Sequence, residues 1–305
     1  MLCWARMPRL LVYALLASVS LASPACSPKK MGISRMADAL SSTASAFSRD
    51  DDPEFVRIAA PSTLKMVEML LDEQPSHPGL LMTACSGFTQ YAYGFLQVEA
   101  EIRDASDVAA ARDLRARAVQ MYDRAGGYCS RALDLRHPQF LRPGPQDGDP
   151  LARTTAADVP ALYWTAVAWG GKLSVVENQL KFIGGLVQIR QLLTRALELD
   201  EGWESGALHE AMIAVEGLPA LAGGSPARAR THFDRAVALS GNQSAFAYVT
   251  MATSVAQPAK NRAEFERLLR AALAIDVSKR SSLRLVNLIA QKRARFLLSR
   301  VDRLF

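Results

Sequence analysis

One phrase recurs along the chain and limits what it can fold into. Ala229, Phe233 and Ala236 place an apolar residue, a large one four positions later and an alanine three after that. Phe265, Leu269 and Ala272 repeat the spacing, as do Ile189, Leu193 and Ala196 and, more weakly, Ala125, Cys129 and Ala132. Each copy ends in a similar run: RALDLRHP from 131, RALELDEG from 195, RAVALSGN from 235 and AALAIDVS from 271. Residues at i, i+4 and i+7 line one face of an α-helix, and the alanines let a neighbouring helix approach closely. A helical pair of this kind cannot bury its apolar face alone, so the copies must stack around a continuous core. The final alanines lie 64, 40 and 36 residues apart, against about 34 for a tetratricopeptide unit. The units are therefore divergent and carry insertions. The fold class predicted is all-α, a helical-hairpin repeat array with the form of a tetratricopeptide-like superhelix, whose curvature supplies a concave binding surface.

The punctuation agrees with this. Asp52 suits a helix N-cap, Pro53 the first turn and Glu54 the positive end of the helix dipole. Breaks are predicted at 74–79, 137–150, 200–206, 223–226 and 257–261. No segment alternates with the period of a strand, so no sheet is expected. Residues 51–280 read as the repeats, and 281–305 as a C-terminal cap whose Arg284, Lys292, Arg293, Arg295 and Arg300 form a solvated face.

The first residues address the chain. Residues 1–25 contain no acidic residue, carry Arg6 and Arg9, then run apolar from Leu10 to Leu21, and end in the small residues Ser23, Pro24 and Ala25 before Cys26. That is the layout of a secretory signal, with Met7 a candidate start, and its apolar run falls short of the roughly 20 residues that span a bilayer. Cys26 resembles the acylated cysteine of bacterial lipoproteins, although Ser23 occupies the place usually held by Leu; simple cleavage after Ala25 is the alternative. Lipidation would give a membrane anchor, with residues 26–50 as a tether. From Cys26 onward the net charge is +4, with Arg and Lys interleaved among Asp and Glu, so no nucleic-acid partner is expected.

Catalytic motifs are missing. His77, His137, His209 and His232 show no metal-ligand spacing, and the Gly-Gly pairs beginning at 126, 170, 184 and 223 open no phosphate loop. No enzyme activity, metal or cofactor is expected. Cys85 and Cys129 read as buried small hydrophobes, with a disulfide open in an oxidising compartment. Two segments are richer in Tyr, Trp and polar side chains than plain packing requires: SGFTQYAY at 86–93 and DVPALYWTAVAW at 158–169. Aromatics at helical spacing are usually core, yet Gln90 with Tyr93, and Tyr163 with Trp169, each bring a polar handle that suits a cavity wall.

These phrases, together with RDDDPEFV at 49–56, LDLRHPQF at 133–140, GALHE at 206–210, ARTHFDRAVALSG at 229–241 and NLIAQKRARFLL at 287–298, resemble the TatT family. That family is the T component associated with tripartite ATP-independent periplasmic (TRAP) transporters. The resemblance implies a periplasmic lipoprotein at the outer membrane's inner leaflet, a homotrimer pierced by channels. Its implied partners are the transporter's solute-binding protein and a small, hydrophobic organic ligand. Carried onto this sequence, it nominates Gln90, Tyr93, Tyr163, Trp169, His209, Asn287 and Gln291 as cavity lining. A generic envelope scaffold without a small-molecule role is the competing expectation.

Overall fold

In a computed structural model, residues 28–41, 44–142, 148–176 and 183–305 are described. The signal segment and Cys26 lie outside them. The chain divides into two compact units, Met1–Met36 and Ala37–Phe305. Of the first, the described residues belong to helix α1 (Pro28–Ser41). The second carries every other element, and among the described residues there is no strand.

Its helices are α2 (Ala44–Ser48), α3 (Pro53–Glu73), α4 (Pro78–Tyr91), α5 (Val98–Arg103), α6 (Val108–Arg136), α7 (Val159–Val175) and α8 (Ile183–Leu199), followed by α9 (Ala207–Glu216), α10 (Pro226–Leu239), α11 (Ala245–Met251), α12 (Arg262–Leu273), α13 (Arg284–Ser299) and α14 (Val301–Leu304). Helix starts follow from local chemistry. The carboxylate of Asp52 accepts from the backbone N–H of Glu54 and Phe55, and Asp107, Ser225 and Asn261 cap α6, α10 and α12 in the same way. His77 caps α4 through Nδ1, which accepts from Leu80 N–H. Prolines 53, 78 and 226 occupy first-turn positions, where no N–H is needed.

The repeated phrase is the core. Ala229, Phe233 and Ala236, Phe265, Leu269 and Ala272, Ile189, Leu193 and Ala196, and Ala125, Cys129 and Ala132 are all buried. The fold is an all-α helical repeat array. Cys85 of α4 and Cys129 of α6 are joined in a disulfide, with S–S 2.03 Å and Cα–Cα 4.9 Å, so the expectation of two free buried thiols gives way to the bond that had stayed open. The pairing follows from the close approach of the two helices. Phe47 of α2 packs on the same core. Glycine sets one further approach: a Cβ at Gly171 of α7 would fall 2.4 Å from the Tyr122 ring of α6.

Helix α13 joins the two ends of the array. Its Leu285 and Ile289 belong to the core of the N-terminal repeat. Ala290, Ala294 and Leu297 belong to that of the last repeat. Arg295 and Lys292 of the expected basic face are exposed, while three of its members also tie the helix to other elements. Lys292 pairs with Glu99 at 3.0 Å, Arg293 with Glu101 at 2.6 Å, and Arg284 donates to the carbonyl of Arg49. Gly94 lies against Ile289, whose Cδ1 is 2.9 Å from where a Cβ would stand. The array returns on itself, and the elements it brings together frame the site.

Candidate ligand cleft

Tyr93 sits in a π-helical turn, Ala92–Gln97, that continues α4. Such turns shift side chains out of α-helical register and recur at functional sites. The Tyr93 ring meets Phe246 of α11 edge to face at 5.5 Å, and Arg293 Nη1 donates to its hydroxyl at 3.4 Å. Burial pushes the Tyr93 hydroxyl up, the Arg293 guanidinium pulls it down, and the carboxylates of Glu101 and Glu210 add to the rise.

Tyr163 of α7 stands between Trp164 at 4.9 Å and Trp203 at 4.7 Å. It is half-buried. Its hydroxyl is pushed far above the ordinary phenol range by burial and then by Glu210 and Glu204. Trp203 is presented by a 3-10 turn, Trp203–Ser205, in which Glu204 (φ 45°) and Ser205 (φ 59°) adopt left-handed backbone before Gly206 (φ 98°). Two consecutive non-glycine residues there cost about 1–3 kcal/mol each. The turn is held by Arg280, which donates to Ser205 Oγ at 2.6 Å and to the Ser240 carbonyl at 2.8 Å.

The charge of Glu210, on α9, adds to the rise of both tyrosine hydroxyls. The Ser244 hydroxyl donates to its Oε1. No cation pairs with it among the described residues, and burial pushes its carboxyl up to about 7, against the Ser244 bond that lowers it. The cleft thus combines an aromatic wall, a carboxyl group without a counter-charge and, beside Tyr93, an arginine already matched by Glu101.

The nominated residues do not all gather here. Tyr93 stands against Phe246 and Tyr163 against Trp164 and Trp203, and Gln90 is exposed one turn before Tyr93 on α4. Trp169 is half-buried with its Nε1 against Gly126 of α6. Asn287 and Gln291 are buried fasteners of α13. Asn287 accepts from Ala245 N–H and donates to the Gln243 carbonyl, both at 2.8 Å, and Gln291 donates to the carbonyls of Ala272 and Ile275 at the end of α12. His209 is engaged by other partners. Its Nδ1 shares a proton with His232 Nδ1 at 2.8 Å, and its Nε2 lies 3.1 Å from Glu201. Two histidines 23 residues apart therefore do meet, where their spacing suggested no pairing. No group of three metal-binding side chains forms among the described residues. Glu210, the neighbour of His209, was missed. A carboxylate inside the apolar run LHEAMIAV was the available signal.

A pocket of about 360 Å³ lies among α8, α9 and α10. It is walled by Arg190 and Arg228, both of which pair with the buried Glu216. Two guanidinium groups there share one carboxylate.

Comparison with known proteins decides the family. Residues 49–305 match the model described as TRAP transporter T-component. The chain belongs to the TRAP transporter T-component family. It is similar, at 27% identity over 266 residues, to an uncharacterised protein of Treponema pallidum (strain Nichols), a match covering 85% of this chain and 82% of the other. The T-component is an extracytoplasmic part of a transport system and is not a known enzyme family. Among the described residues, no helix is long and apolar enough to cross a membrane.

Proposed function

We propose that this T-component docks the solute-binding protein of its TRAP transporter and passes a small organic ligand through the cleft of Tyr93, Tyr163 and Glu210. The observation that supports this reading is the pair of aromatic clusters formed by partly buried Tyr93 with Phe246 and by Tyr163 with Trp164 and Trp203. An exposed apolar stripe on α3, made by Phe55, Ile58, Met66 and Met69, supports protein binding, since large apolar groups left in water mark interaction faces. The chain acts in the periplasm as a homotrimer, held at the outer membrane through acylated Cys26. Replacing Tyr93 and Tyr163 by Ala tests the cleft. Ligand or receptor binding falls while the helical melt stays cooperative; a collapsed melt assigns both residues to the core and withdraws the site.

A further inference from the structure

The pocket among α8, α9 and α10 holds more positive than negative charge. Glu216 is buried, and its carboxylate accepts from Arg190 Nη1 and Arg228 Nε. Both guanidiniums also donate to one backbone oxygen, the Gly223 carbonyl, through Arg190 Nη2 at 3.1 Å and Arg228 Nη2 at 2.6 Å. These contacts fix the two groups without using them up. A guanidinium has more N–H donors than these contacts employ, and Arg190 Nε and Arg228 Nη1 have no partner among the described residues. Thr194 stands one turn beyond Arg190 on α8, and His232 one turn beyond Arg228 on α10, so each helix presents an i, i+4 pair on one face. All four side chains line the same pocket of about 360 Å³. Thr194 is exposed, and its hydroxyl makes no hydrogen bond among the described residues. His232 brings Nε2, because its Nδ1 lies 2.8 Å from His209 Nδ1, and His209 Nε2 lies 3.1 Å from Glu201. The Glu201 carboxylate accepts, so a neutral His209 keeps its proton on Nε2 and takes one from His232 Nδ1. His232 Nε2 is then a donor only when its ring is protonated.

We infer that this pocket binds a tetrahedral oxyanion, a phosphate or sulfate group, held by Arg190 and Arg228, with Thr194 and protonated His232 donating to its remaining oxygens. Two guanidiniums against one carboxylate leave one positive charge, and a protonated His232 brings a second, which matches a doubly charged group. Donors carried on two helices suit oxygens that diverge in three dimensions, whereas a planar carboxylate is satisfied by a single guanidinium fork. The site shares no residue with the clusters of Tyr93 and Tyr163 and stands whether or not the chain passes a ligand there. Binding draws a proton onto His232. The charged and titratable groups that face this ring are His209 and Glu216 from α9, Arg190 from α8 and Arg228 from its own helix. Burial, then the charges of His209, Arg228 and Arg190, hold the ring below the usual 6.5, with Glu216 acting the other way. A bound anion reverses that balance, so an oxyanion that does not itself titrate binds more tightly as the pH falls.

Calorimetric titration of the full chain with sodium sulfate, inorganic phosphate and sodium acetate, at constant ionic strength, tests the site. Sulfate and phosphate bind about tenfold or more tightly than acetate. The sulfate affinity rises about tenfold from about pH 8 to about pH 6, and His232→Gln flattens that rise. Arg228→Gln, which leaves Glu216 paired with Arg190, lowers sulfate affinity about tenfold or more, and Thr194→Val, at an exposed position, lowers it about threefold. Vesicles identify the source of the group. If phosphatidylglycerol vesicles displace sulfate and phosphatidylcholine vesicles do not, the phosphate is that of a lipid headgroup; if neither does, it is carried by a soluble ion or ester, and both results uphold the site. Sulfate that binds no more tightly than acetate, or not at all, overturns it. So does a sulfate affinity that neither Arg228→Gln nor Thr194→Val changes. Should Arg228→Gln fail to fold, Thr194→Val and the anion preference of the unaltered chain decide.

Discussion

Arg293 and Glu101 stand 192 positions apart in the sequence and 2.6 Å apart in the fold, joining the last long helix to the first repeat. The guanidinium is largely withdrawn from water, and breaking such a pair strands the remaining charge. Arg293→Met is expected to cost about 1–3 kcal/mol, less than for a fully buried pair because Glu101 keeps some solvent contact. Urea unfolding measures it. The loss is expected to be smaller for Lys292→Met, whose pair with Glu99 is more exposed.

The Cys85–Cys129 bond closes a loop of 44 residues between two helices. Cross-linking restricts the unfolded chain, so removal by the double Cys→Ala change is expected to cost about 2–4 kcal/mol. Both cysteines are fully buried, so a mild reductant is expected to leave the bond intact in the native protein and to cleave it once urea opens the fold. Thiol alkylation followed by mass measurement reads the difference.

Two nominated amides should part company. Asn287→Ala leaves the Ala245 N–H and the Gln243 carbonyl without partners in a buried place, and is expected to cost about 2 kcal/mol or more. Gln90→Ala removes an exposed side chain and is expected to stay within about 0.5 kcal/mol. Chemical denaturation of the two variants checks both.

The pH dependence of stability has two opposed sources. Burial holds His209 and His232 below the usual 6.5, and the charge of His209 further depresses His232. Their contribution is present above about 6.5 and is lost as pH falls through the folded values, because the unfolded chain binds the protons first. Glu210 is raised from 4.5 to about 7. Its contribution is present below about 4.5 and is lost as pH rises to about 7. Between about 4.5 and 6.5 the two slopes oppose. Glu210→Gln removes one of them. It is expected to be more stable than the parent by on the order of 2 kcal/mol above about pH 7, and to lose stability more steeply on acidification. Urea midpoints across that range measure it.

The fold was legible where the physics is local. Phe233, Leu193 and Leu269 sit at positions where helical spacing alone decides burial, and Asp52 caps α3 through atoms two and three residues away. Arg293 was illegible because its partner lies in a distant repeat, and an arginine in the basic run from Lys292 to Arg295 reads as a solvated face. Glu210 was hidden by its neighbour: consecutive residues on a helix point about 100° apart, so His209 packs toward His232 while Glu210 accepts from the Ser244 hydroxyl. Trp203 owes its place to the left-handed turn through Glu204 and Ser205, which no local residue preference announces.

The central claim, that this T-component acts by holding a transport receptor, is tested most directly by sedimentation of the full chain with the purified solute-binding protein of its transporter. A trimer that carries the receptor, with binding weakened by Tyr93→Ala and Tyr163→Ala in a chain that still melts cooperatively, is the predicted result. A chain that sediments alone at every receptor concentration, with or without those changes, would contradict it.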